Sequence, residues 1–358
     1  MSDIMLPERI RIKDIAELAH VSVGTVDRVL HDRPGVSESS RQRVEEVLNK
    51  LDYHPNMYAS ALASNKKYHF ICLLPLHSQG DYWCDVEKGI NAAVAAFSDF
   101  HLSLDFRYYD QYESNSFTDE SNVILKENPD AVMMAPTTAS ITRIFTNKLQ
   151  KALIPFVFVD STIDGVEPLA FYGQKSIQSG YYAASILMLL SEEKKKIAVI
   201  RQLKEGKVGS NQQENREIGF KNYMKENYPN CKILELNLRA KYPEMDESLL
   251  DHFFSENPDV SCGITFNSKA YIIGEYLESH PQRNFKLVGY DLLERNTRCL
   301  KKKYISFLIA QQPWLQGYYG IKTMCEHLIL KKEVKQINFM PIDLLSADNV
   351  DFYLKAQQ

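Results

Sequence analysis

The chain has 358 residues, 44% of them hydrophobic and 25% charged, with a net charge of −4. At roughly 100–200 residues per domain, that length predicts two or three domains. No uncharged apolar run reaches the ~18 residues of a membrane-spanning helix. The opening residues, Met1 to Arg11, also lack the apolar block and small-residue cleavage site of a secretory signal. The six cysteines, Cys72, Cys84, Cys231, Cys262, Cys299 and Cys325, have neither C-x-x-C pairing nor metal spacing. They read as reduced thiols, which with the missing export signal points to the cytoplasm. Residues 1–67 carry ten Lys or Arg against ten Asp or Glu, so any nucleic-acid contact must depend on where the basic groups point.

Ile12, Ile15 and Ala19 lie at helical spacing in IKDIAELAH, with Leu18 beside them. They predict a short amphipathic helix over Ile12 to His20. Ser22 can cap a second helix from Val23 to His31, in which Val26, Val29 and Leu30 share one face and Gly24, Asp27, Arg28 and His31 the other. Pro34-Gly35 turns the chain. Ser37 then caps a third helix through Asp52, with Val44, Val47, Leu48 and Leu51 as its stripe. Two short helices joined by a tight turn, the second with a polar outer face, describe a helix-turn-helix. Periodicity by itself fits a plain helical bundle equally well.

From Tyr68 the pattern changes. Apolar runs at Phe70–Pro75, Ala131–Pro136, Pro155–Asp160, Lys196–Arg201, Cys262–Phe266 and Lys286–Asp291 predict buried parallel strands. Helical stretches, including Val86–Phe97, Ile177–Leu190, Ile218–Tyr228 and Ala270–Glu278, lie between them. Alternating strand and helix predicts doubly wound parallel sheets, which bind ligands beyond the carboxyl ends of their strands. Asp160, Asn267 and Asp291 end three of these runs, although each could equally be a cap or loop residue.

The stretch IKDIAELAHVSVGTVDRVLHDRPGVSESSRQRVEEVLNKLDYHPN resembles, without a gap, the head of the lactose-repressor and galactose-repressor (LacI/GalR) family. That resemblance implies that Val23 and Gly24 begin a recognition helix with Arg28 further along it. It also implies that Ser22 and Thr25 reach phosphates, and that Ser37 and Arg41 sit near the DNA backbone. His31 and Asn56 join this DNA-contact set. Arg28 is the strongest candidate, because an arginine fork can pair with guanine or clamp phosphate. The family usually carries Ser at the position of Asp27. An acid there cannot donate to phosphate, and could instead hold Arg28 or Lys13 or accept from a cytosine amino group. The following MYASALASNKKYHF is too short to be a stable helix alone; in the family it is a hinge helix, and Leu62 matches its minor-groove wedge.

The body is similar to the family's sugar-type, periplasmic-binding-protein-like effector domain. The match is carried by GDYWCDVEKGI, FVD, NREIGF, ITFNSKA, LVGYD and IAQQPWLQGYYGI. It implies that Tyr82 and Trp83 sandwich a sugar ring while Asp160, Arg216, Asn267, Asp291 and Gln311 meet its hydroxyls. Ser161 and Gly80 depart from the usual pattern, which leaves the ligand's identity open.

The expected organisation is thus an all-α helix-turn-helix head over residues 9–55, a hinge helix over 56–67, and an α/β two-lobed type I body over 68–358. Lobe 1 is expected at about 68–172 and 312–338, lobe 2 at about 173–311 and 340–358, with crossings near Tyr172–Gln174, Gln311–Pro313 and Phe339–Pro341. The expected function is a DNA-binding regulator, read as a repressor. It acts as a homodimer on a near-palindromic operator, is controlled by a sugar or sugar derivative, and needs no cofactor, metal or membrane. An enzyme is disfavoured because no G-x-G-x-x-G follows Ile71 to Leu76 and no P-loop occurs. A transport receptor would need an export signal and would have no use for residues 12–52.

Overall fold

The computed structural model describes residues 10–30, 32–51, 53, 57–62, 64–113, 115–193, 195–203, 210–239 and 246–356. The chain divides into two compact units, Met1–Asn65 and Lys66–Gln358.

The first unit contains α1 (Ile12–Leu18), α2 (Val23–Leu30), α3 (Glu38–Lys50) and the short α4 (Met57–Leu62). Ile15, Ala16, Ala19, Val26, Val29 and Val44 are buried together, with Leu30, Val47, Leu48 and Leu51 packed around them. These are the stripes seen in the sequence, closed into one small core. α1 is two residues shorter than its pattern because His20 adopts a left-handed conformation (φ 53°), which turns the chain toward α2. Ser22 Oγ accepts from the Thr25 amide at 3.1 Å and Ser37 Oγ from the Ser40 amide at 3.3 Å, so both serines cap as the sequence indicates.

The second unit is built on two six-stranded sheets. The first contains β1 (Tyr68–Pro75), β2 (Leu102–Tyr109), β3 (Ala131–Met134), β4 (Phe156–Val159), β5 (Ala170–Gly173) and β11 (Ile337–Phe339), in the order β11-β5-β4-β3-β1-β2. In the second, β6 (Lys196–Leu203), β7 (Lys232–Arg239), β8 (Cys262–Thr265), β9 (Lys286–Tyr290), β10 (Phe307–Ala310) and β12 (Asp343–Leu345) take the order β12-β10-β9-β8-β6-β7. All pairings are parallel except that of β12 with β10. All six runs singled out as strands are strands. The edge strands β2 and β7 escaped notice because one face of each meets solvent, so their residues alternate in burial instead of forming an apolar run.

Helices cover both sheets. They are α5 (Tyr82–Ala96), α6 (Ser116–Glu127), α7 (Ala139–Lys151), α8 (Ser176–Leu190), α9 (Asn211–Asn227), α10 (Asp246–Glu256), α11 (Tyr271–Ser279), α12 (Glu294–Lys301), α13 (Pro313–Leu328) and α14 (Val350–Ala356). α5 and α9 start four and seven residues before their apolar stripes do. Their first turns carry polar or aromatic side chains that face the cleft, so no apolar period marks them.

The chain passes between the sheets around Gln174, at Gln311–Gln312, and between Phe339 and Asp343. The buried Gln174 amide ties all three passages: its Nε2 donates to Ala310 O at 2.8 Å and to Pro341 O at 2.7 Å. Its Oε1 accepts from Ser179 Oγ at 3.1 Å, which leaves the amide no freedom to turn over.

Within each lobe two helices cross on glycines. α5 and α13 meet at Gly89 and Gly317, and α8 and α9 meet at Gly180 and Gly219. A Cβ on Gly219 would lie 1.8 Å from Ile177 O, a backbone atom that cannot yield locally. Gly219→Ala should therefore force α9 away from α8 and lower stability by about 1–3 kcal/mol in a denaturant titration. Gly24→Ala, whose new Cβ would find only Ser22 Oγ at 3.8 Å, should cost nothing. Equal stability of the Gly219 variant and the parent would show that the close crossing is not a constraint.

Candidate functional site

In the head, Ser22, Val23, Gly24 and Arg28 lie exposed at and along α2, while Thr25 and Asp27 are half-buried. Val23, at the helix start, is 51% exposed and stands outside the core of the head. Ser22 and Thr25 hydroxyls are hydrogen-bonded to each other at 2.9 Å. Asp27 pairs with Arg33 at 3.1 Å, a partner that the sequence reading did not name. Arg41 is half-buried and held by Asp32 at 2.8 Å, and Ser37 is exposed at the start of α3. Among the described residues no acid pairs with Arg28, so the one arginine on the polar face of α2 keeps its charge available. Leu62, at the end of α4, is 51% exposed. His31 and Asn56 lie outside the described residues.

In the body, Tyr82, Trp83, Asp160, Arg216, Asn267, Asp291 and Gln311 all line one cavity of about 210 Å³. That is smaller than the ~300–1,000 Å³ of pockets for drug-sized ligands. The cavity lies beyond the carboxyl ends of β4, β6, β8, β9 and β10, where a doubly wound sheet leaves strand-end side chains uncovered.

Asp160 and Asp291 directly follow β4 and β9, and both adopt φ 69°, a left-handed conformation costly for a side chain with a Cβ. Their surroundings hold them there. The Asp160 amide donates to Tyr172 O and to Gln316 Oε1, each at 2.9 Å. Buried Asn296 donates to Tyr290 O and Asp291 O, each at 3.0 Å, and to Ser268 O at 2.8 Å, fastening the loops after β8 and β9 to each other.

Arg216 lines the same cavity as the two acids and is only 1% exposed. Its Nη1 donates to Phe266 O at 2.8 Å, and its guanidinium carbon sits 3.8 Å from the centre of the Tyr290 ring. Nε and Nη2 are buried with no partner among the described residues. A buried donor left without a partner is expensive, so these two N–H groups constitute a standing demand for acceptor oxygens.

Burial raises both carboxyls above their ordinary pKa of 3.8. Asp160 is pushed up to about 6, opposed by the Arg216 charge and by the Tyr82 hydroxyl and Gln212 amide near its carboxyl. Asp291 is pushed up to about 7, opposed by Arg216 and by Gln311, whose Nε2 donates to Asp291 Oδ1 at 2.6 Å. The Tyr82 hydroxyl is raised well above its usual range by burial and the two nearby acids.

The aromatic sandwich expected of Tyr82 and Trp83 is not formed by these two rings as they stand. They meet edge to face, with centroids 5.1 Å apart and planes at 90°, so they cannot face each other across one sugar ring. Tyr82 is buried and its hydroxyl accepts from Gln316 Nε2 at 3.0 Å, which leaves half-buried Trp83 as the more accessible of the two. Asn267 accepts from the Lys269 amide at 3.0 Å and donates to Gln202 at 3.4 Å. Sequence reasoning missed Gln202, Gln212, His77 and Tyr112 on the cavity wall, and Gln316 behind it. Gln212 was findable, since it lies four residues before Arg216 and so on the same helix face. Nothing in the local pattern marks Gln316.

Among the described residues, no group of three or more His, Cys, Asp or Glu could hold a metal ion, and no helix is long and apolar enough to cross a membrane.

The two acids carry a sign for stability. Because their folded pKa values exceed the unfolded one, the folded body binds the extra protons. Their contribution is complete below about pH 4 and is lost as pH rises through about 6 and 7. Asp291→Asn removes the upper part of that loss. Its unfolding midpoint should improve relative to the parent between about pH 5 and pH 8, whereas a difference constant across that range would show that Asp291 titrates normally.

Two family models match the chain: the lacI family of bacterial regulatory proteins over residues 11–56, and a periplasmic binding protein domain over residues 71–333. The HTH-type transcriptional regulator AglR of Rhizobium meliloti is 30% identical over 189 residues, 52% of this chain and 51% of that protein. The HTH-type transcriptional regulator GalR of Escherichia coli is 54% identical over 52 residues, 14% of this chain and 15% of that one. These matches therefore span about half of the curated relatives or less. A crystal structure assigned as a candidate LacI transcriptional regulator from Bacteroides fragilis is 55% identical, with TM-score 0.79, and covers 80% of this chain and 100% of its own. GanP, a glucose-galactose binding protein from Geobacillus stearothermophilus, shares the fold at 20% identity and TM-score 0.69, covering 80% of this chain and 99% of its own. With its helical head and two-sheet body, the chain belongs to the lacI family of bacterial regulatory proteins.

Proposed function

We propose that the protein is a cytoplasmic, sequence-specific DNA-binding transcriptional repressor, active as a homodimer on a near-palindromic operator. In this reading its operator affinity is set by a neutral or weakly charged sugar derivative bound between the two lobes of the body. The observation that carries it is the cleft: Arg216 keeps two buried donors that have no partner among the described residues, in a cavity that two carboxyls and several amide side chains also line. A polyol supplies what this site requires, hydroxyl oxygens that accept from Arg216 and hydroxyl protons that the acids accept. The cavity volume suits a single sugar ring. An enzymatic role has less support, since the curated relatives named above are regulators and Asp291 is engaged as a hydrogen-bond acceptor from Gln311. A panel of sugars, sugar acids and sugar phosphates screened by thermal shift on the full chain tests the reading, because a specific ligand raises apparent stability by mass action.

For the head, Ser22, Val23, Gly24, Thr25, Asp27 and Arg28 form the operator-contacting face. Ser37 and Arg41 contribute phosphate contacts, and Leu62 is the minor-groove wedge. Arg28→Ala should weaken specific operator binding by roughly five- to 100-fold, the ~1–3 kcal/mol of one good base contact. It should leave the melting temperature unchanged, since the side chain is exposed. Unchanged affinity in a gel shift at fixed salt would remove Arg28 from the contact set. Leu62→Ala should narrow the ratio of specific to non-specific affinity, because a wedge acts only where the duplex bends; a ratio equal to the parent's would dismiss the wedge.

For the body, Arg216→Ala or Asp291→Ala should retain operator affinity without effector yet lose the response to it. A ligand shifts an equilibrium only through its differential affinity for the two states. A mutant that still responds at the parent's effector concentration would exclude these residues as contacts.

A further inference from the structure

Among the cavity residues, Gln212 differs from the rest in what it joins. It is buried in the first turn of α9, where Ser210 Oγ accepts from the Gln213 amide at 3.4 Å, one helical turn before Arg216. α9 belongs to the second lobe. The Gln212 amide nitrogen donates to Asp160 O, in the first lobe, at 3.0 Å and to Gln311 Oε1, on a passage between the lobes, at 2.7 Å. Both of its N–H groups are thus used, one in each direction. Gln311 is in turn oriented: with its oxygen taken by Gln212, its nitrogen is left to donate to Asp291 Oδ1 at 2.6 Å. Next to it, Asn211 Nδ2 reaches Thr162 O, also across the cleft, at a looser 3.4 Å.

We infer that Gln212 is a latch between the lobes and a positioning residue for Gln311 and Asp291. Its amide holds the cleft walls together through protein atoms alone, and so sets the open-to-closed equilibrium that any ligand must work against or with. A carbonyl at the end of β4, in a cavity wall, gains a donor only when the lobes are close, and an amide buried there loses both of its acceptors when they part. A side chain of the same length without donors cannot do this. The inference does not depend on the effector being a sugar.

The test uses the full chain, with no effector added, followed by hydrogen–deuterium exchange. Gln212→Met keeps length and volume but removes both donors; Gln212→Ala serves as a second variant should Met pack poorly. Loss of the latch should speed exchange roughly five- to tenfold in peptides covering Asp160–Ile163 and Gln311–Gln316, the two walls that Gln212 joins. β3 and β8, away from the contact, should keep the parent's protection and the melting temperature should hold. Gln213→Met, on the same wall but without these bonds, should leave all peptides unchanged. Unaltered exchange at both walls in both Gln212 variants overturns the inference. Uniformly faster exchange throughout the body also overturns it, by showing a packing role, as does an equal effect from Gln213→Met. Because no ligand enters the measurement, a panel in which no sugar binds would count against the proposed effector without touching the latch.

Discussion

A fully buried guanidinium organises the body. Taking a charge out of water costs several kcal/mol unless partners replace the lost hydration. Arg216 has only part of that replacement in the protein: one backbone carbonyl, the face of Tyr290, and two carboxyls, Asp160 and Asp291, that its charge helps to keep ionised. Those partners come from the ends of three strands, β4, β8 and β9, and the two acids come from different lobes. The arginine can therefore be satisfied only where both sheets direct their carboxyl ends at one place. The crossing of α8 and α9 on Gly180 and Gly219 brings it there, since a Cβ on Gly180 would lie 1.8 Å from Arg216 O.

The amides distribute this constraint. Gln174 binds the three passages between the sheets, Gln316 joins Tyr82 to the Asp160 backbone and to Gln311 O, and Gln212 closes the circuit from the other lobe. Glutamine suits such joints because one planar group both donates and accepts while carrying no charge, so it adds no further buried charge beside two acids and an arginine.

The head poses the opposite electrostatic problem. With ten cations and ten anions in residues 1–67 it has no net attraction for DNA. Its own ion pairs sort the charges: Asp27 is taken by Arg33 and Asp32 by Arg41. Arg28 is left exposed on α2, the helix that Ser22 caps. Direction, and not total charge, gives the helix its binding face.

Much of this was legible in the linear chain, and for definable reasons. Helical stripes in residues 12–51 and the apolar runs of β1, β3, β4, β6, β8 and β9 are consequences of one-sided or two-sided burial, which leaves a period in the sequence. Family resemblance carried Asp160, Arg216, Asn267, Asp291 and Gln311 to positions that the fold does bring onto one cavity. What the chain could not display was any relation between residues far apart in it. The edge strands β2 and β7 carry no apolar run. The edge-to-face geometry of Tyr82 and Trp83 depends on how α5 is seated, and the Asp27–Arg33 pair on how the turn after α2 folds back. Gln316 is 156 residues from the amide it receives, and Gln212 is 52 from the carbonyl it holds. Burial periodicity is a local property that composition and order determine, whereas the partner of a polar side chain is decided only when tertiary packing brings two distant segments within 3 Å.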